Sequence, residues 1–168
     1  MRLFYPRGSD HEVTRLVRSD AAAVATLHRE DFARPWTTTE FDELLRQNTV
    51  FGFAARVIGQ PKAPLAGFVL ARLAADEAEV LTIAVARAAR RLGLGRALME
   101  ALLRRLHALR AETLFLEVDE TNDPAVHLYR RLGFVEVARR PGYYGGGSEG
   151  KSDALVMRLD LGKAPVSR

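Results

Sequence analysis

The sequence predicts an α/β fold with both antiparallel and parallel strand pairing, and three observations carry that prediction. Two runs rich in β-formers, residues 49–58 and 65–73, are separated by a turn-forming stretch at 59–64 and read as a hairpin. An apolar run at 80–85 leads through a glycine-bearing corner into an amphipathic helix, and a second apolar run follows at 113–118. Strand, crossover helix and parallel strand have that order. The chain has 168 residues, 48% of them hydrophobic, which is enough for one full core and too short for two ordinary ones, so residues 1–168 are read as a single domain.

The elements follow in order. Residues 12–18 alternate as a short strand, and Ser19-Asp20 is expected to cap an alanine-rich helix running to about Phe32. Arg34-Pro35-Trp36 breaks it. Thr37 to Glu40 forms a capping box, and Phe41, Leu44 and Leu45 give the next helix its apolar face. After the hairpin and the first apolar run, Leu94, Leu98, Ala101, Leu102 and Leu109 form one helical stripe expected to face the sheet. Asp123 reads as the N-cap of a further helix with Pro124 at its first position, and Gly133 ends it. Residues 134–139 and 153–160 read as the last two strands, with a flexible glycine-rich loop at 145–150 between them.

Composition excludes several classes. There is no cysteine, which removes thiol nucleophiles, thiolate metal sites and disulfides together. His11, His28, His107 and His127 show no ligand spacing, and His28 and His107 fit ordinary helix faces, so no metal is expected. Residues 1–10 hold only a three-residue apolar patch, and no window approaches a membrane span; a soluble cytoplasmic protein is expected. The net charge is +4, but the arginines are scattered and do not form one stripe, which argues against direct nucleic-acid binding. The excess around 87–96 and 104–110 suits a small phosphorylated ligand.

The corner RRLGLGRALM, Arg90 to Met99, places glycines at the start of a helix, where bare backbone N–H groups and the helix dipole attract phosphate. A dinucleotide fingerprint needs a third glycine where Leu98 stands, and a P-loop needs Gly-Lys-Ser/Thr; neither is present. What remains, Arg90-x-x-Gly93-x-Gly95 after a strand, resembles the pyrophosphate-binding motif of the GNAT superfamily of acetyl-CoA-dependent N-acetyltransferases. Ile83-Ala84-Val85, Leu116-Glu117-Val118, Asn122 and Leu128 to Phe134 fall in that superfamily's order and spacing. Within it, Phe32 to Thr37, Asp76-Glu77-Ala78, Arg139 to Tyr144 and Asp153 to Met157 are similar to the RimI-type ribosomal-protein-alanine N-acetyltransferases. The likeness covers about Val13 to Leu161. It departs at residues 1–12, read as an N-terminal extension, and at Thr82, where Asn is expected; residues 162–168 are read as a flexible tail.

The resemblance implies a mixed central sheet with a splayed parallel strand pair and flanking helices. It also implies acetyl-CoA as cosubstrate and direct transfer to a primary amine, with the N-terminal alanine of a small-subunit ribosomal protein as acceptor. Two rivals stand beside this, an acetyltransferase for a small amine or amino-acid analogue and a non-catalytic acyl-CoA-binding sensor. Oligomeric state is not legible.

Cofactor contacts implied are the backbone of Ile83, Ala84 and Val85, the loop Arg90, Arg91, Leu92, Gly93, Leu94, Gly95 and Arg96, then Asn122 and Tyr129. The periodicity of 114–118 suggests a strand buried on both faces, where a carboxylate is unusual unless paired or functional; Glu117 is therefore a candidate base, or a strand-end Glu facing water or an arginine. Tyr129 shares a helical stripe with Ala125 and Leu132 and reads either as a core tyrosine or as the acid that protonates the departing thiolate. The resemblance implies the functional role for both. Asn122 fits a cofactor contact or simple turn chemistry before Asp123-Pro124. Trp36, Tyr143 and Tyr144, with Glu117, are the candidate acceptor-binding residues, and Asp119, Glu120 and Asp123 complete an acidic cluster.

Overall fold

The strands found are β1 (Leu3–Phe4), β2 (His11–Arg15), β3 (Val50–Val57), β4 (Gly67–Ala74), β5 (Glu77–Val85), β6 (Thr113–Asp119), β7 (Val135–Tyr144) and β8 (Ser152–Asp160). The helices are α1 (Ala21–His28), α2 (Thr38–Arg46), α3 (Leu94–Ala108) and α4 (Asp123–Arg131), with 3₁₀ turns at Arg18–Asp20 and Arg87–Ala89. The structure, a computed structural model, describes residues 3–4, 10–145 and 150–162. The glycine loop at 146–149 and most of the segments read as an N-terminal extension and a tail lie outside these. Of the former, His11 and Glu12 belong to β2 and pair with β3.

The chain packs as two units, Met1–Arg72 with Leu81–Ala108, and Leu73–Val80 with Leu109–Arg168. In the first, β2, β3 and β4 pair antiparallel, with Phe53 opposite Arg15 on one side and Val69 on the other. Leu16, Val24, Leu27, Phe41, Ala54 and Phe68 form its buried centre. Thr37 caps α2 as the spacing predicts, its Oγ1 accepting from Glu40 N at 3.2 Å while Thr37 N donates to Glu40 Oε2 at 2.6 Å. The cap expected on α1 is different: Asp20 turns back, accepting from Val17 N at 2.9 Å and pairing with Arg56 at 2.7 Å, so it closes the 3₁₀ turn instead. The helix ends at His28, short of Phe32. In α3 the buried stripe is Leu94, Leu98, Ala101, Leu102 and Leu106. Leu109 is exposed because the helix stops at Ala108 and the chain turns at Arg110, which has a positive φ of 59°.

In the second unit β5 and β6 are the parallel pair, with Glu77–Glu79 opposite Thr113–Phe115. Along its whole length β6 pairs antiparallel with β8, and β8 with β7. Asn122, not Asp123, is the N-cap of α4, its Oδ1 accepting from Ala125 N at 3.3 Å. The helix closes as Gly133 requires, with φ of 98°: Gly133 N donates to the Arg130 carbonyl and Phe134 N to the Tyr129 carbonyl, both at 3.0 Å.

Candidate active site

The anion-binding half lies in the first unit. Arg91 and Gly93 both take positive φ, 63° and 74°, and α3 begins at Leu94. The bond from Ala97 N to the Gly93 carbonyl, at 3.1 Å, is the first of the helix. The N–H groups of Leu94, Gly95 and Arg96 therefore face outward at the positive end of a 15-residue helix. No atom lies within 4 Å of where a Gly93 Cβ would sit, so the corner is open as a cradle must be. The left-handed Arg91 stores strain of about 1 kcal/mol, a cost that tends to persist at functional sites. The arginines are less free than their spacing suggests. Arg90 Nη2 lies 2.6 Å from Asp31 Oδ2, Arg87 donates to the Glu30 carbonyl at 2.6 Å, and Arg96 pairs with Glu100 at 2.9 Å. Leu92 is exposed while Leu94 is buried in the core. Upstream, Ala84 is buried between the half-buried Ile83 and Val85. The buried Thr82 has no hydrogen-bond partner for its Oγ1 among the described residues.

The second unit carries the candidate base. The expectation of a strand buried on both faces is corrected: Leu114, Leu116 and Val118 are buried, whereas Phe115 is half-buried and Glu117 exposed. The alternation is that of a strand with one covered face. Glu117 Oε1 lies 2.9 Å from Arg140 Nη2, so the arginine-paired reading describes its state in this structure. Asp119 accepts from Thr121 N at 2.9 Å, Thr121 Oγ1 at 2.8 Å and Ser152 Oγ at 2.8 Å. Burial opposes its charge, and these hydrogen bonds outweigh burial, leaving its carboxyl below the ordinary range. Arg139 reaches Glu120 at 2.7 Å and both Asp153 and Glu136 at 3.3 Å, which ties the loop after β6 to β7 and β8. Arg139 and Arg140 were missed as individual residues. Their only signal was two basic residues in the last strands of a chain whose β6 ends in acidic ones.

Tyr129 is buried, its ring edge-on to Phe134 with centroids 5.7 Å apart. Burial, with a smaller contribution from Tyr144, pushes its phenol up to about 12. Tyr144 is half-buried and also raised, first by burial and then by the charge of Glu117. Tyr144 is thus coupled electrostatically to both the candidate acid and the candidate base. Tyr143 is exposed, at right angles to Tyr144 with centroids 5.1 Å apart. The cap uses only the oxygen of Asn122, so turn chemistry is present and the amide nitrogen is not part of it.

Trp36 belongs to the first unit, where its ring lies 5.2 Å from His28 and 5.4 Å from Phe41. His28, expected on an ordinary helix face, is 2% exposed and its Nδ1 accepts from Trp36 N at 3.1 Å. No group of three or more metal-ligating side chains occurs among the described residues.

Each unit thus carries part of the chemistry sought: the first an open helix-start cradle, the second an exposed carboxylate on β6 and a buried phenol on α4. The profile of the Acetyltransferase (GNAT) family matches residues 21–134, and the chain belongs to that family: it has the GNAT fold and is an acetyl-CoA-dependent N-acetyltransferase. Among its relatives, the [Ribosomal protein bS18]-alanine N-acetyltransferase of Escherichia coli K12 is 32% identical over 149 residues, 89% of this chain and 97% of that one. The N-alpha-acetyltransferase RimI of Mycobacterium tuberculosis is 35% identical over 153 residues, covering 88% and 90%. The crystal structure of the Escherichia coli ribosomal-protein-S18-alanine N-acetyltransferase superposes with a TM-score of 0.82 at 31% identity, over 94% of this chain and 98% of that one.

Proposed function

We propose that this protein acetylates the N-terminal alanine of a ribosomal protein, by direct transfer in a ternary complex. The observation that carries the acceptor is the 32% identity, over nearly the full length of both chains, to an enzyme named for that alanine. The family profile draws on residues of both units, which supports reading the chain as one catalytic domain, and the ribosomal acceptor for which its relative is named supports action in the cytoplasm.

The N–H groups of Leu94, Gly95 and Arg96 take up pyrophosphate charge, helped by Arg90, Arg91 and the Leu92–Gly93 backbone. The backbone of Ile83 to Val85 and Asn122 hold the pantetheine arm. Bound there, acetyl-CoA supplies an activated acetyl thioester. Glu117 receives the proton of the acceptor's ammonium, directly or through water. An N-terminal amine costs only about 1 kcal/mol to deprotonate at neutral pH against about 4.6 for a lysine, so an exposed carboxylate is base enough for a chain terminus. Tyr129 Oη–H donates to the departing sulfur. With its phenol near 12 and a thiol near 8.5, full proton transfer is uphill by about 5 kcal/mol, so Tyr129 acts mainly as a hydrogen-bond donor to developing charge. Trp36, Tyr143 and Tyr144 contact the acceptor's first residues. With no cysteine in the chain, a thiol-bound acyl-enzyme has no place in this route.

The test is incubation with acetyl-CoA and a panel of alanine-initiated ribosomal peptides, free lysine and small amines. Acetylation confined to peptide N-termini is expected. Turnover of small amines alone overturns the acceptor, and coenzyme A binding without turnover of any acceptor overturns the enzymatic assignment of these residues.

A further inference from the structure

Glu117 already holds a cation at the point where the proposed reaction brings an ammonium. Arg140 Nη2 lies 2.9 Å from Glu117 Oε1, and a guanidinium stays charged at every pH the protein meets. Both side chains reach water, with accessibilities of 56% and 31%, so the pair is screened and opens easily. While paired with Glu117, Arg140 also lies against the exposed Tyr143 ring, its guanidinium carbon 5.6 Å from the centroid, so it keeps one contact when the carboxylate is given up. The register sets this up: Arg140 is opposite Ala154 on β8, and Ala154 is opposite Asp119 on β6, two residues from Glu117 on the same face. The preceding residue is a contrast. Arg139 reaches three carboxylates and is fixed in place.

We propose that Arg140 acts through Glu117 as an exchangeable stand-in for the acceptor, a positioning residue that keeps the carboxylate charge-paired until an incoming ammonium displaces it, leaving it against Tyr143. The inference rests on the reading of Glu117 as base. Glu117 then faces one cation until it takes the acceptor's proton, and an acceptor gains the site only by bringing a positive charge of its own. A protonated chain terminus qualifies, while a blocked terminus or an amide does not.

The experiment measures the affinity of an alanine-initiated hexapeptide by calorimetry with coenzyme A present, together with kcat and both KM values. It covers the wild type, Arg140→Ala, Arg140→Lys, Glu117→Gln and the Glu117→Gln/Arg140→Ala double variant. Removing the competitor is expected to tighten peptide binding and lower the acceptor KM about two- to fivefold, the range an exposed ion pair commands, with the acetyl-CoA KM unchanged. Arg140→Lys restores wild-type values, and in the Glu117→Gln background the Arg140→Ala effect on affinity disappears. Unchanged or weaker peptide binding in Arg140→Ala overturns the proposal, as does an effect that persists without the Glu117 carboxylate. A wild-type kcat in Glu117→Gln refutes the base assignment separately, since the affinities alone judge the exchange.

Discussion

Acidification should destabilise this protein through one buried ring. His28 is stacked on Phe32 with centroids 3.9 Å apart and planes 4° apart, edge-on to Phe41, and its Nδ1 accepts the Trp36 backbone N–H. An accepting Nδ1 means a neutral imidazole; protonation breaks that hydrogen bond and places a charge among aromatic rings. Burial accordingly pushes the ring down to about 4, against the opposing pull of Glu40. In the unfolded chain a histidine titrates near 6.5. Below that pH the unfolded state takes up a proton the folded state refuses, so stability is whole above about 6.5 and is lost as pH falls toward 4. The full loss is about 3 kcal/mol, and about 2 kcal/mol of it falls between pH 7.5 and pH 5. With a urea slope of about 2 kcal/mol per molar, the unfolding midpoint drops by about 1 M over that interval. The single tryptophan, Trp36, lies 5.2 Å from the ring and reports the transition by fluorescence. Asp42 and Asp119 are shifted below 3.8, so their contributions fade only under more acidic conditions. His28→Phe should be less stable at pH 7.5, because Trp36 N–H loses its acceptor, yet lose about 2 kcal/mol less on acidification. Equal losses in wild type and variant would refute the reasoning.

Glu117→Gln and Tyr129→Phe are each expected to lower kcat by about 10²-fold with acetyl-CoA affinity nearly unchanged, checked by steady-state kinetics and calorimetry; wild-type rates would remove their assigned roles. Gly93→Val forces a β-branched side chain into a φ of 74° and into the open cradle, so acetyl-CoA affinity should fall at least tenfold, read by calorimetry, while the fold survives because nothing lies within 4 Å. At Gly52 the reverse holds: an added Cβ would sit 2.1 Å from the Val69 carbonyl oxygen. Gly52→Ala is therefore expected to lower stability by about 3 kcal/mol, measured by urea unfolding. Thr37→Ala removes the α2 cap and should cost about 1 kcal/mol in the same assay.

Local chemistry was legible wherever one residue type has one structural use. The Thr37–Glu40 box, the Gly133 turn and the hairpin between β3 and β4 lie where their residues put them, because capping and turn formation depend on neighbours in the chain. Misreadings cluster where a distant partner competes. Asp20 has good capping chemistry but is taken by Arg56, 36 positions away in a different element. Asn122 and Asp123 are both competent caps with Pro124 inside the helix either way, and Asn122 is the one whose Oδ1 accepts from Ala125 N. His28 read only as part of an ordinary helix face because periodicity cannot report that Phe32, Trp36 and Phe41 converge on it. The site divides the same way. The glycine corner was readable as an open helix start because bare N–H groups there are a property of consecutive backbone groups. The partner of Glu117 was not, since Arg140 meets it only through the two-strand register of β6, β8 and β7.

The reading of Glu117 as functional began from a premise of burial that does not hold, yet its exposure fits the assigned role better. An acceptor arrives from water carrying a proton that is inexpensive to remove, so its base needs access, which a carboxylate side chain 31% accessible provides. The proposed acid faces the opposite demand. It must still hold its proton when a thiolate departs, and the burial of Tyr129, which drives the phenol up to about 12, guarantees that at any physiological pH. Glu117 points away from the face carrying Leu114, Leu116 and Val118, while the end of α4 comes to Leu159, opposite Leu114 on that covered face, where a Gly133 Cβ would meet it at 3.2 Å. Tyr144 links the two groups, since it adds to the rise that burial gives the Tyr129 phenol and is itself raised by burial and then by the charge of Glu117.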